Sequence, residues 1–275
     1  MRGEARDVAL VVAAATTPQF GAAFAVTLFD ELGPSGAAFA RLAIAAVILL
    51  AIWRPRLRGH EPADLRVAAL FGITLGLMNW AIYQAMDRIP LGVAVTIEIA
   101  GPLCVAVVAS RRPLDLLWVV LAASGIVLLA DLGGGSLDRV GVAFALLAAA
   151  MWAAYILLSV RTGRLFPGGS GLAIAMAVGA VTILPMGVGQ AGGALLEPEL
   201  LAAAAVVALA SSVIPYSLEM EALRRLPARV FGVLMSLEPA VAALAGLVVL
   251  GQVLDAREWF AIALVVVAAA GATAR

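Results

Sequence analysis

A chain of 275 residues, 64% hydrophobic and only 13% charged, with a mean hydropathy of +1.07, has too few polar side chains to cover a water-soluble fold, whose apolar content is typically about 45 to 50%. Its 18 basic residues are all arginine, and without lysine there is no Walker A loop and no Schiff base to retinal or PLP. One histidine, His60, and one cysteine, Cys104, exclude an internal disulfide and a histidine- or cysteine-based metal cluster, so neither a cofactor nor a metal is expected.

Read in hydropathy windows of about 19 residues, the sequence predicts ten apolar spans, near 8 to 29, 35 to 53, 65 to 86, 90 to 109, 113 to 131, 139 to 160, 170 to 190, 199 to 220, 228 to 250 and 257 to 274. At about 20 residues each, they leave no room for a soluble catalytic domain. They lack period-2 alternation, so helices are expected and not a barrel. The fold class is therefore an all-α polytopic membrane protein. The first span is followed by Asp30 and Glu31 and by no small-residue cleavage site, so it reads as an uncleaved helix and not a signal peptide. Trp53, Trp118 and Trp259 fall near span ends, where interfacial belts form. His60, set among Arg54, Arg56, Arg58 and Glu61, reads as a solvated loop residue.

Arginine placement gives the orientation. With the N-terminus inside, 14 arginines fall in cytoplasmic segments, Arg88, Arg139 and Arg257 on the opposite side, and Arg41 within a span. The positive-inside rule then puts both termini in the cytoplasm. A missed or invented span would move every later loop across the membrane and destroy the asymmetry.

A shift of 137 residues aligns Ala85, Arg88, Pro90, Val93 and Pro102 with Ala222, Arg225, Pro227, Val230 and Pro239. The segments AMDRIPLGV and ALRRLPARV each sit in the hairpin between the third and fourth spans of a half, and each is followed twelve residues on by a proline. Five spans per half is an odd number, so two halves, 1–137 and 138–275, are expected to lie in opposite orientation. Inverted repeats of this kind are a mark of secondary transporters.

With that arrangement, the segments EIAGPLCVAVVASRRPLDLLWVVLAASGIVLL (98 to 129) and VIPYSLEMEALRRLPARVFGVLMSLEPAVAALAGLVVLGQVLD (213 to 255) resemble the EamA family of the drug/metabolite transporter superfamily, and within it the branch of threonine and homoserine exporters. The resemblance covers essentially the whole chain. It implies a ten-helix basket with a central cavity in a prokaryotic plasma membrane, and ion-driven export of small metabolites, neutral amino acids first and drugs or other hydrophobic metabolites as the alternative. The expected partners are an amino acid, a coupling ion, taken as the proton, and the lipid bilayer, with no nucleic acid. Enzyme activity is not expected: there is no HExxH, no GxSxG with an intramembrane histidine, and no paired aspartates within a span.

Polar groups within spans are costly, about 2.5 to 3.5 kcal/mol for a central charge on insertion scales, so each asks for a reason. Arg41 in the second span and Glu98 in the fourth lie at similar depth, with Gln19, Asn79 and Tyr83 near the same level. Two readings stand side by side: a zwitterion site, with Arg41 facing a carboxylate and Glu98 an ammonium, or a buried ion pair that clamps or gates. Glu238 lies within the ninth span beside Pro239. Burial disfavours the charged form of a carboxyl, which suits proton coupling, while service to backbone groups freed by Pro239 is the structural alternative. Trp152 and Tyr155 share one face of the sixth span, to stack on a substrate or to pack between helices. Tyr216, with Pro215 and Glu219, is expected near an inner gate.

Overall fold

The computed structural model describes residues 2–108, 114–131, 138–215 and 236–273; among them there are helices and no strand. The helices are α1 (Arg2–Val26), α2 (Phe29–Trp53), α3 (Pro62–Met86), α4 (Leu91–Glu98), α5 (Ala100–Val108), α6 (Leu114–Asp131), α7 (Arg139–Leu165), α8 (Ser170–Ala191), α9 (Pro198–Ala208), α10 (Glu238–Leu250) and α11 (Ala256–Thr273). A 3-10 turn, Gly192–Leu196, joins α8 to α9, and a π turn, Leu209–Val213, extends α9.

Among the described residues four helical stretches are long and apolar enough to cross a membrane: Phe29–Trp53, Pro62–Met86, Arg139–Leu165 and Ser170–Leu196. Shorter apolar helices cover Leu91–Val105, Leu117–Leu128, Pro198–Val213 and Glu238–Leu250. Val47, Val181 and Val248 stand exposed on the outer faces, as expected of side chains turned to lipid rather than to water.

Local chemistry explains where the helices bend and break. Gly33 adopts φ 66°, ψ 163° inside α2, a conformation open to glycine, and Pro34 follows with φ preset for a helix start. The straight part of α2 therefore begins where the hydropathy pattern does. α3 starts earlier than its apolar run, at Pro62, because Glu61 and Asp64 form a reciprocal capping box. The span expected as one helix over 90 to 109 is two, turning at Ile99. Pro102 has no N–H to give the Glu98 carbonyl four residues back, and the ladder breaks there. In the ninth span the described residues begin with a turn at Ser236 and Leu237, and Glu238 opens α10 with Pro239 in its first positions. Glu238 is thus at a helix N-terminus, where a carboxylate suits the dipole.

The first half of the chain packs on the second. α2 lies on α8, α3 on α7 and α8, α1 on α10, α10 on α4, and α6 on α11. Leu42, Leu75, Leu91 and Ile97 are fully buried in one core with Met176 and Ile183. At one end, Ser35 N–H donates to Gln190 Oε1 at 2.7 Å, and Trp80 Nε1 and Gln84 Nε2 both donate to Ser35 Oγ at 3.0 Å. At the other, the Trp53 ring covers Gly168 and Gly169 so closely that no β-carbon would fit there. His60 belongs to that end and is no free loop residue. Its ring stacks on Phe166 with centroids 4.4 Å apart, and its Nδ1 lies 3.9 Å from Asp64 Oδ2.

Candidate functional site

A cavity of about 360 Å³ lies among α1, α2, α3, α4, α5, α7, α10 and the π turn, a size within the range of small-molecule pockets. Gln19, Arg41, Asn79, Tyr83, Glu98, Trp152, Tyr155 and Glu238 all line it. Tyr216 lies outside the described residues.

One wall of the cavity is α2 against α3. Asn79 and Tyr83 are four apart on α3 and so share a face, which puts both against Arg41 of α2. Arg41 Nη2 donates to Asn79 Oδ1, and Nη1 donates to Tyr83 OH at 3.2 Å. The guanidinium carbon also sits 5.1 Å from the centroid of the Tyr83 ring, within reach of a cation–π interaction. Asn79 Nδ2 donates to the Leu75 carbonyl at 2.8 Å, which turns its oxygen towards Arg41. Tyr83 is fixed in turn by Phe29, with ring centroids 5.6 Å apart. Arg41 is only 7% exposed, yet its Nε has no partner.

Glu98, 9% exposed, is the last residue of α4. It is near enough to feel the charge of Arg41, but the two do not meet as an ion pair among the described residues. The pairing that equal depth made feasible is replaced by bonds to Asn79 and Tyr83, because α3 presents two acceptors one helical turn apart directly beside Arg41. The cavity thus holds a fixed cation and a separate carboxyl, with space between the helices that carry them.

Tyr155 packs against Phe71, ring centroids 5.0 Å apart, and forms with Trp152 the α7 side of the cavity. Glu238 is 5% exposed and stands in the first turn of α10 beside Ser236, another lining residue. Two features escaped the sequence reading. The π turn brings Ser211 to the cavity, 7% exposed and with its hydroxyl unpartnered; π turns within helices often mark functional sites. Pro102 lines the cavity one turn below Glu98. Serines in an apolar helix follow no hydropathy period, so only the adjacent pair Ser211 and Ser212 was there to be noticed. Among the described residues no group of three His, Cys, Asp or Glu side chains is placed to hold a metal ion.

The model of the EamA-like transporter family matches residues 139–274. The chain is 41% identical over 270 residues to the threonine/homoserine exporter RhtA of Salmonella typhimurium (strain SL1344), and equally to that of Escherichia coli (strain K12), covering 97% of this chain and 90% of each relative. It is 26% identical over 235 residues to the uncharacterized transporter YwfM of Bacillus subtilis (strain 168), covering 82% of this chain and 79% of that one. A protein of known structure aligns with TM-score 0.55 and 21% identity, over 94% of this chain and 97% of the other, a likeness of fold alone.

Proposed function

The chain belongs to the EamA-like transporter family, and on that premise we propose that it is a secondary exporter of small neutral amino acids, threonine and homoserine foremost, working by ion-coupled alternating access. The observation that carries this reading is the cavity, in which Arg41 is positioned by Asn79 and Tyr83 while Glu98 stands apart from it. A zwitterion brings a carboxylate for the guanidinium and an ammonium for the carboxyl, and so satisfies both without either crossing the gap. A buried guanidinium also repels a hydrophobic cation, which weighs against a cationic drug as cargo. Trp152 and Tyr155 close the α7 side and Gln19 the α1 side, and from its place in the sequence Tyr216 is assigned to the inner gate. Among the described lining residues, Glu98 and Glu238 bring the carboxyls that would carry a coupling proton.

The same reading takes the protein as ten spans in the plasma membrane of a prokaryote, both termini cytoplasmic, built of inverted halves 1–137 and 138–275. The arginine asymmetry, the repeated hairpins and the family match to 139–274, nearly the whole of the second half, support it. Its relatives are named as transporters, and no enzyme activity is proposed. The test is efflux from loaded cells carrying the protein, with labelled threonine, homoserine, other amino acids and a hydrophobic cation. Faster loss of threonine and homoserine is expected. Loss of the cation with retention of every amino acid overturns the proposal.

A further inference from the structure

The turn between α3 and α4, residues 87–90, sits over the cavity: Ile82 and Met86 on one flank and Val95 on the other are lining residues. It is fastened to the second half of the chain on two sides. Arg88 Nη1 meets Asp138 Oδ2 at 3.2 Å, at the N-cap of α7. On the far side, the N–H of Leu91 donates to Gln252 Oε1 at 3.0 Å.

The second contact is the unusual one. Leu91 is the first residue of α4, and its N-cap, Pro90, provides no side-chain acceptor. The first amides of a helix have no partner within it, so this one is satisfied from another element. Gln252 is itself held in place. Gly251 ends α10 with φ 67°, ψ 17°, and its N–H and that of Gln252, the latter at 3.1 Å, both return to the Gly246 carbonyl, which closes the helix end on a left-handed glycine. The absence of a side chain at Gly246 makes room for the carboxamide: a β-carbon there would press on Gln252 Oε1. Gly92, likewise, lets α4 lie directly on Ala243 of α10.

We infer that Gln252 is a gating residue: its carboxamide latches the α3–α4 turn over the cavity by capping α4, and release of the Leu91 N–H opens this end. An intramolecular hydrogen bond makes a modest net contribution, enough to bias a two-state element and little enough to be broken in each cycle. Burial of Ile89 in the turn and of Leu91 directly after it guides it back. The role in transport rests on the alternating access proposed above; the latch itself is a statement about this contact.

The test is the labelling rate of a single Ile82→Cys in a Cys104→Ser background, using a membrane-impermeant maleimide on intact cells. Gln252→Met keeps the length of the side chain and removes the carbonyl, and labelling should speed up roughly five-fold, the shift expected from one lost hydrogen bond of usual strength. Gly246→Ala, which crowds the carboxamide, should do the same. Gln252→Glu keeps an acceptor at a helix N-terminus and should label at the native rate. Equal rates in the native, Gln252→Met and Gly246→Ala proteins overturn the latch. Leu196→Cys and Arg58→Cys are the orientation controls, expected to label and not to label respectively. The reverse pattern would sink the proposed topology and move the same rate comparison to inside-out vesicles. A five-fold difference in a protein that exports no amino acid would sink the proposed function and leave the latch standing.

Discussion

At the rim of the molecule Arg88 meets Asp138 at 3.2 Å, with both side chains more than a third exposed. In the cavity Arg41 and Glu98 are nine-tenths buried and are held apart. The rim pair is closed where water screens it and where pairing is worth little. The cavity groups are kept open where low dielectric makes every charge interaction strong. A pair closed in the cavity would answer its own charges; left open, with Arg41 steadied by neutral partners, it keeps that capacity for a cargo. The contrast separates a contact that positions a turn from an arrangement that, in the function proposed, waits for a ligand.

The largest effect should come from breaking the cavity's fixed side. Arg41→Met leaves Asn79 Oδ1 and Tyr83 OH buried without their donor, and should cost about 3 kcal/mol of stability and abolish threonine efflux, read as thermal stability in detergent and as flux in vesicles. Ser211→Ala sharpens the contrast from the π turn. Its hydroxyl has no partner, so removing it should leave stability unchanged or raise it by about 1 kcal/mol, while threonine export falls if the hydroxyl is kept for the cargo. Tyr83→Phe removes one hydrogen bond to Arg41 but keeps the ring beneath the guanidinium, and about 1 kcal/mol should be lost, with export weakened and not abolished.

The rim should respond least. Arg88→Gln should leave thermal stability within error of native. The Asp138 carboxyl is held below the usual aspartate range, first by the Val140 N–H, with burial opposing and Arg88 adding. A depressed value means that its stabilisation is complete above the ordinary aspartate range and is lost as pH falls through the depressed value. Melting curves of native and Asp138→Asn protein should therefore converge in acid. Persistent separation there would contradict the account of the cap.

Much of this was legible in the sequence because burial of charge in an apolar chain is rare enough to point at itself. Arg41, Glu98, Asn79 and Tyr83 stood out by depth alone, and depth is what hydropathy windows measure. Rotation about the helix axis is not, and so the choice of Asn79 and Tyr83 over Glu98 as partners of Arg41 was beyond reach: it depends on which face α3 turns to α2. The break at Ile99 was foreshadowed by Pro102, whose missing N–H is readable, and the π turn at Leu209–Val213 likewise by Pro215, which has no N–H for the Ser211 carbonyl four residues back; the form the shifted ladder would take was not readable. His60 was misread because the loop's arginines suggest solvent, whereas Phe166, which stacks on it, lies more than a hundred residues further along the chain.

The central claim is that Glu98 serves the cargo or its coupling ion and not the fold. Glu98→Gln in proteoliposomes loaded with labelled threonine tests it, because the change keeps shape and leaves the Arg41 contacts to Asn79 and Tyr83 intact. The account predicts native expression and thermal stability with threonine efflux reduced at least tenfold and its pH dependence flattened. Native efflux at every pH by a stably folded Glu98→Gln protein would contradict it.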